Sequence, residues 1–241
     1  MNNTNNGSKR APKALWYRFI AFLARWLVFG STGGVKITGE EHVPPNGAVL
    51  IAPVHVSHFD PPLLGSTCPR ELRFMAKEEL FKNPVFGALI RSVGAYPVKR
   101  GEGDTAAIRL TLKWLQEGRA VLVFPEGQRG DAVTMGQMLP GIAVLAKKSG
   151  APVVPVGIYG THIIKPKGGK GIHRCKVRLV YGKAIYYEER SKEGDEKYGR
   201  QHFLDTLRDG ILEACRDAGL ELKTDGSTQV RTSSLSTQTP S

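Results

Sequence analysis

The sequence predicts an α/β domain, a central sheet with helices packed on it, preceded by one helix of interfacial character. Three observations predict it. Short apolar, β-rich runs alternate with helical ones from Ala48 to Ala214. The 241 residues suffice for one sizeable core and fall short of what two full domains need. An abrupt apolar and aromatic run, Ala14 to Phe29, stands before the alternation and stops at Gly30.

Residues 1–13 are Asn-rich, polar and basic at their end, and with nothing apolar to bury they are expected to be disordered. Residues 14–34 are read as a membrane-interfacial amphipathic helix. About 16 helical residues cover roughly 24 Å, short of the roughly 30 Å of hydrocarbon, and Arg18 and Arg25 interrupt the run. Those arginines are seven apart and share a face, while Trp16, Phe19, Leu23, Trp26 and Leu27 fall elsewhere, as suits snorkelling cations at a headgroup boundary. Two rivals are a helix packed into the core and a secretory signal; against the signal stand the internal arginines and the poor cleavage site Gly30-Ser31-Thr32-Gly33.

Residues 35–222 form the domain itself. Strands are expected at Ala48–Ala52, Ala120–Phe124, Val153–Ile158 and Lys176–Tyr181, each a short apolar run. Helices are expected at Asp104–Glu117, Gly141–Lys148 and Phe203–Ala214. The first has Asp104 as N-cap, Ile108, Leu112 and Leu115 on one stripe, and Gly118 as stop. Residues 223–241, rich in Ser, Thr and Gln, are expected to be a disordered tail.

A formal net charge of +12 points to an anionic partner or surface. The basic residues are spread along the chain, without a zinc-finger, RNP1 or basic-zipper pattern, so the reading is no nucleic acid. Cys68, Cys175 and Cys215 are odd in number and far apart, which suggests neither a disulfide framework nor a zinc site and fits a reducing compartment.

Chemistry gathers at the end of the first strand. His55 stands just beyond it, and Asp60 follows five residues later, directly before Pro61-Pro62, where α/β sheets place their sites. An Asp-Pro pair is also ordinary helix-start grammar, and one carboxylate oxygen can cap while the other accepts an imidazole N–H. His58 offers a second base or, with His55 and Asp60, a third metal ligand; without a fourth ligand at recognisable spacing no metal is expected, and His58 is read as packing or capping.

His55-Val56-Ser57-His58-Phe59-Asp60, followed by Phe124-Pro125-Glu126-Gly127-Gln128-Arg129, resembles the signature of the glycerolipid acyltransferases, the glycerol-3-phosphate and lysophosphatidic acid acyltransferase family. Two further blocks fall in the family's order, Gly94 to Arg100 and the proline-containing apolar run Ala151 to Ile158. The departures are Val54 for the usual asparagine, Gln128 for the usual threonine, and Leu139-Pro140-Gly141 where a lysine is usual before the glycine. The resemblance implies the family's fold, a mixed sheet flanked by helices like that of glycerol-3-phosphate acyltransferase.

It also implies a reaction. A lipid hydroxyl attacks a thioester with His55 as general base and Asp60 as its orienter; a thiolate leaves easily, since a thiol pKa is about 8.5. No G-x-S-x-G elbow occurs, so direct transfer is preferred to an acyl-enzyme. Arg129, Arg100 and then Lys99 would hold the acceptor phosphate, Gly127 would let backbone N–H groups approach it, and Glu126 would fix Arg129 or bind the glycerol. The expected partners are acyl-CoA or acyl carrier protein, lysophosphatidic acid and an anionic membrane surface, met peripherally or monotopically on the cytoplasmic face, with no cofactor. Rival readings are another acceptor (glycerol 3-phosphate, a lysophospholipid or an amino lipid) and a non-catalytic binder of anionic lipid.

Overall fold

Val49-Leu50-Ile51-Ala52 and Val153 to Ile158 lack any charged side chain, as befits strands covered on both faces. In the computed structural model, which describes residues 11–30, 32–98, 104–169, 171–188 and 196–224, they lie side by side at the centre of the sheet. Every residue of Val49–Ala52 is wholly buried.

In chain order the elements are α1 (Ala11–Leu23, continued by a wide π-type turn Ala24–Gly30), β1 (Val35–Thr38), β2 (Val49–Pro53), α2 (Asp60–Thr67), β3 (Leu72–Lys77), α3 (Pro84–Ser92), β4 (Ala95–Val98), α4 (Asp104–Gln116), β5 (Ala120–Leu122), β6 (Thr134–Met135), α5 (Gly141–Ser149), β7 (Val153–Tyr159), α6 (Thr161–Ile164), β8 (Val177–Tyr181), α7 (Glu196–Ala218) and β9 (Lys223–Thr224). Seven strands form one sheet in the order β1-β8-β7-β2-β5-β3-β4. All its pairings are parallel except β7 with β8, so the sheet is mixed, as expected.

The predicted strands and helices are all present, with ends moved by a few residues. The exception is α7, which begins seven residues before the expected Phe203. Gly118 ends α4 as expected: at φ 69° it lets its own N–H reach Leu115 O and the Arg119 N–H reach Trp114 O. Two boundaries need correction. α1 begins at Ala11, inside the stretch expected to be a disordered tail of 1–13, and Lys223–Thr224 pairs in parallel with Thr134–Met135, inside the tail expected at 223–241. Residues 1–10 and 225–241 lie outside the described residues.

α1 is anchored to the domain by Tyr17. Its ring is buried, its hydroxyl donates to Gly65 O at 3.0 Å and accepts the Leu72 N–H at 3.2 Å. Trp16 Nε1 donates to Ser92 Oγ at 2.9 Å, tying α1 to α3. Leu15, Phe19, Phe22 and Trp26, spaced by four, three and four residues, all stand exposed, with Arg18 and Arg25 also in solvent. Among the described residues no helix is long and apolar enough to cross a membrane.

α7 covers β7 closely enough to exclude a side chain: a Cβ at Gly157 would run into the carbonyl of Ala214. Backbone on both sides leaves nothing able to move. Gly157→Ala is expected to lower the free energy of unfolding by about 3 kcal/mol, read from urea denaturation.

Candidate active site

β2 ends at Pro53, and the chain then passes through His55 and Ser57 before α2 starts at Asp60. The Asp60 side chain is wholly buried, and it turns back on the loop that precedes it. Its Oδ2 accepts His55 Nδ1 at 2.9 Å and the N–H groups of Val56 and Ser57 at 2.7 Å each. Its Oδ1 accepts the hydroxyl of Thr161, from α6, at 2.7 Å. The expected split, one oxygen capping α2 and the other on the imidazole, is therefore corrected: the cap position is Phe59, without a side-chain cap, and Asp60 binds the loop.

The third sequence block encloses His55 from the other side. Beyond β5 the Phe124 ring stacks on the imidazole at 3.8 Å between centroids. Buried Glu126 accepts the His55 N–H on Oε1 at 3.4 Å and the Gly136 N–H on Oε2 at 2.9 Å, while the Gly130 N–H donates to His55 O at 2.7 Å. Glu126 thus holds backbone as a strut, and among the described residues it makes no hydrogen bond or ion pair with Arg129, where one was expected. Gly127 sits at φ 65° with its own N–H given to Phe124 O at 3.0 Å, so that N–H is engaged in the turn. A Cβ on Gly127 would strike the Leu139 side chain.

A cavity of about 1520 Å³ opens in front of His55. That exceeds the ~300–1,000 Å³ of an ordinary small-molecule site. Its walls are apolar, with Tyr17 and Ile20 from α1, Phe86 and Ile90 from α3, and Ile142 and Leu145 from α5. At its polar end stand His55, His58, Arg129 and Lys77. His58 is exposed and neither packs nor caps, correcting the expectation; partial loss of hydration, then the nearby Arg129 charge, push its imidazole below the ordinary value. Lys77, at the carboxyl end of β3, escaped the sequence reading, which placed no strand at Leu72–Lys77. Lys99 and Arg100 lie outside the described residues; the adjacent Val98 lines the cavity.

With Nδ1 engaged by a carboxylate that only accepts, the imidazole takes the tautomer with its proton on Nδ1, which leaves Nε2 as the proton acceptor. His55 is 16% exposed at its side chain, enough for a bound hydroxyl to reach it. A base beside two cations, at one end of a long apolar cavity, is suited to deprotonating the hydroxyl of an amphiphile whose head is anionic. Among the described residues no group of three His, Cys, Asp or Glu side chains could hold a metal ion.

The family model for acyltransferases matches residues 34–159, more than half of the chain. The 1-acyl-sn-glycerol-3-phosphate acyltransferase of Bacillus subtilis is 30% identical over 173 residues, covering 70% of this chain and 82% of that protein. Its counterpart in Streptococcus pneumoniae is 29% identical over 196 residues, covering 80% and 71%. A lyso-ornithine lipid O-acyltransferase of Pseudomonas aeruginosa is 34% identical over 125 residues, covering 52% and 46%. The crystal structure of the 1-acyl-sn-glycerophosphate acyltransferase from Thermotoga maritima superposes with a TM-score of 0.70 at 24% identity, covering 86% of this chain and 83% of that one, and so shares the fold.

Burial pushes the Glu126 carboxyl up from its ordinary value, against the pull of the Gly136 and His55 N–H groups. The folded state then holds this proton more tightly than the unfolded chain. Glu126 contributes stability that is full below the unfolded value near 4.5 and is lost as pH rises through the folded value. Glu126→Gln, which cannot ionise, is expected to cost more stability at about pH 4 than at about pH 7, measured by urea denaturation at both.

Proposed function

This chain belongs to the acyltransferase family, and from that membership we propose that it acylates the free hydroxyl of 1-acylglycerol 3-phosphate to make phosphatidic acid, with His55 as general base. The observation that carries the reading is the His55–Asp60 contact of 2.9 Å at the polar end of an apolar cavity that Arg129 and Lys77 also line. The phosphate sits against those two cations and the first acyl chain in the cavity. As the acceptor oxygen attacks the thioester carbonyl, its proton passes to His55 Nε2. The carbonyl–oxygen bond forms, the carbon–sulfur bond breaks, and the departing thiolate takes the proton from the imidazolium. Asp60 holds the ring and stabilises the imidazolium without taking the proton itself.

The donor is acyl-CoA or acyl carrier protein, whose acidic surface would suit the net charge of +12. The protein lies on the membrane through the exposed Leu15, Phe19, Phe22 and Trp26 of its first helix, with Arg18 and Arg25 at the headgroups. The anionic cytoplasmic leaflet is the surface its charge favours. An amino lipid is the second acceptor to test, on the strength of the lyso-ornithine lipid relative.

With purified protein in detergent, an acyl thioester donor and lysophosphatidic acid, thiol release should depend on the acceptor and fall about 10²–10⁴-fold in His55→Ala. Release with a lyso-amino lipid alone would transfer the reading to that acceptor, and no release with either donor would remove it. Phe19→Ser and Phe22→Ser together should weaken sedimentation with anionic vesicles at least about tenfold, and unchanged sedimentation would reject α1 as the membrane contact.

A further inference from the structure

The segment that follows β7 lies past the stretch matched by the family model, yet it touches three parts of the site. Thr161 donates to Asp60 Oδ1 at 2.7 Å. Ser57 Oγ donates to Lys165 O at 3.3 Å. Lys167 Nζ donates to Arg129 O at 3.0 Å. Thr161 and Ile164 are wholly buried, and the segment is seated by Gly160, whose φ of 99° brings its backbone against the Lys176 carbonyl where a Cβ has no room.

Three of the four donors to Asp60 converge on Oδ2: the imidazole and two loop N–H groups. All three act on one oxygen, so rotation of the carboxylate about Cβ–Cγ is opposed from one side alone. Among the described residues, Thr161 is the one donor to Oδ1, and it comes from an element 101 positions away in sequence. We propose that Thr161 is a positioning residue for the His55–Asp60 pair: by holding Oδ1 it opposes rotation of the buried carboxylate about Cβ–Cγ, and so keeps Oδ2 on His55 Nδ1 and leaves Nε2 to face the cavity. The kinetic consequence rests on the acyl-transfer reading, whereas the orientation of the pair does not.

Thr161→Val exchanges the hydroxyl for a methyl of nearly the same shape, and Thr161→Ser returns the hydroxyl. In the thiol-release assay Thr161→Val should lower kcat by about 10- to 100-fold with KM changed less than about threefold, and Thr161→Ser should recover most of the loss. In an Asp60→Asn background Thr161→Val should cost almost nothing further, because both substitutions break one unit. A wild-type kcat for Thr161→Val, equal losses for Val and Ser, or full additivity with Asp60→Asn would each overturn the proposal. Nitrogen-15 NMR of labelled histidine reads the His55 Nδ1–Asp60 bond, through the ring tautomer, without turnover. The His55 ring should be the Nδ1–H tautomer in the wild type and in Thr161→Ser, and a mixture in Thr161→Val. An unaltered tautomer in Thr161→Val overturns the proposal even if no acyl transfer is found with any acceptor, while absent transfer with the expected tautomers removes only the assigned reaction. Should Thr161→Val fail to fold, Thr161→Ala takes its place in the kinetic cycle and in the spectrum: the same kcat loss and tautomer mixture support the proposal, and wild-type values overturn it.

Discussion

A carboxylate removed from water loses several kcal/mol of solvation unless the protein replaces what water gave it, and Asp60 is removed completely. The replacement comes from an imidazole, two peptide N–H groups of its own loop and a hydroxyl from beyond β7. Each donor constrains its element: the loop after β2 must curl around the carboxylate, α2 must begin where the carboxylate points inward, and α6 must come close beneath both. The geometry of the His55–Asp60 pair therefore follows from neutralising a buried charge, and on the proposed reading catalytic order and structural order are the same hydrogen bonds.

A second set of bonds places the ring inside the cavity. The His55 N–H and carbonyl are gripped by Glu126 and Gly130, and Phe124 lies flat against the imidazole. Since β2 pairs directly with β5, the first and third sequence blocks leave adjacent strands at the same end of the sheet and can interlock. This is the physical reason the two blocks occur as a pair in the sequence. Glu126 answers the His55 and Gly136 N–H groups, and burial makes its ionisation harder in return.

How legible all this is in the sequence depends on range. Val49–Ala52 and Val153–Ile158 announce themselves because strands buried on both faces carry no charge, and Gly118 announces the end of α4 because few other residues tolerate its backbone angle. His55 and Asp60 are legible through spacing and resemblance. The direction of the Asp60 carboxylate is not, because Asp-Pro-Pro is locally a helix start whichever way the side chain turns. Thr161 is invisible for a stronger reason: in Gly160-Thr161-His162-Ile163 nothing distinguishes a hydroxyl that meets a carboxylate from one that meets solvent. Helix α3 hides because Val85, Phe86 and Leu89 are exposed, so the apolar pattern that identifies a packed helix points the wrong way.

Leu80, Phe86 and Leu89 belong both to the outer surface and to the cavity wall, and α1 lines the same cavity while its own outer face is apolar. On the proposed reading, a lipid then travels from the leaflet to His55 along hydrocarbon-bearing helices without becoming a monomer in water. Turnover in that arrangement follows surface dilution kinetics: the governing variable is the mole fraction of acceptor within the leaflet, and diluting the bilayer with inert lipid slows the reaction where diluting the whole suspension with buffer does not. Synthesis would be metered by the composition of the very membrane it builds.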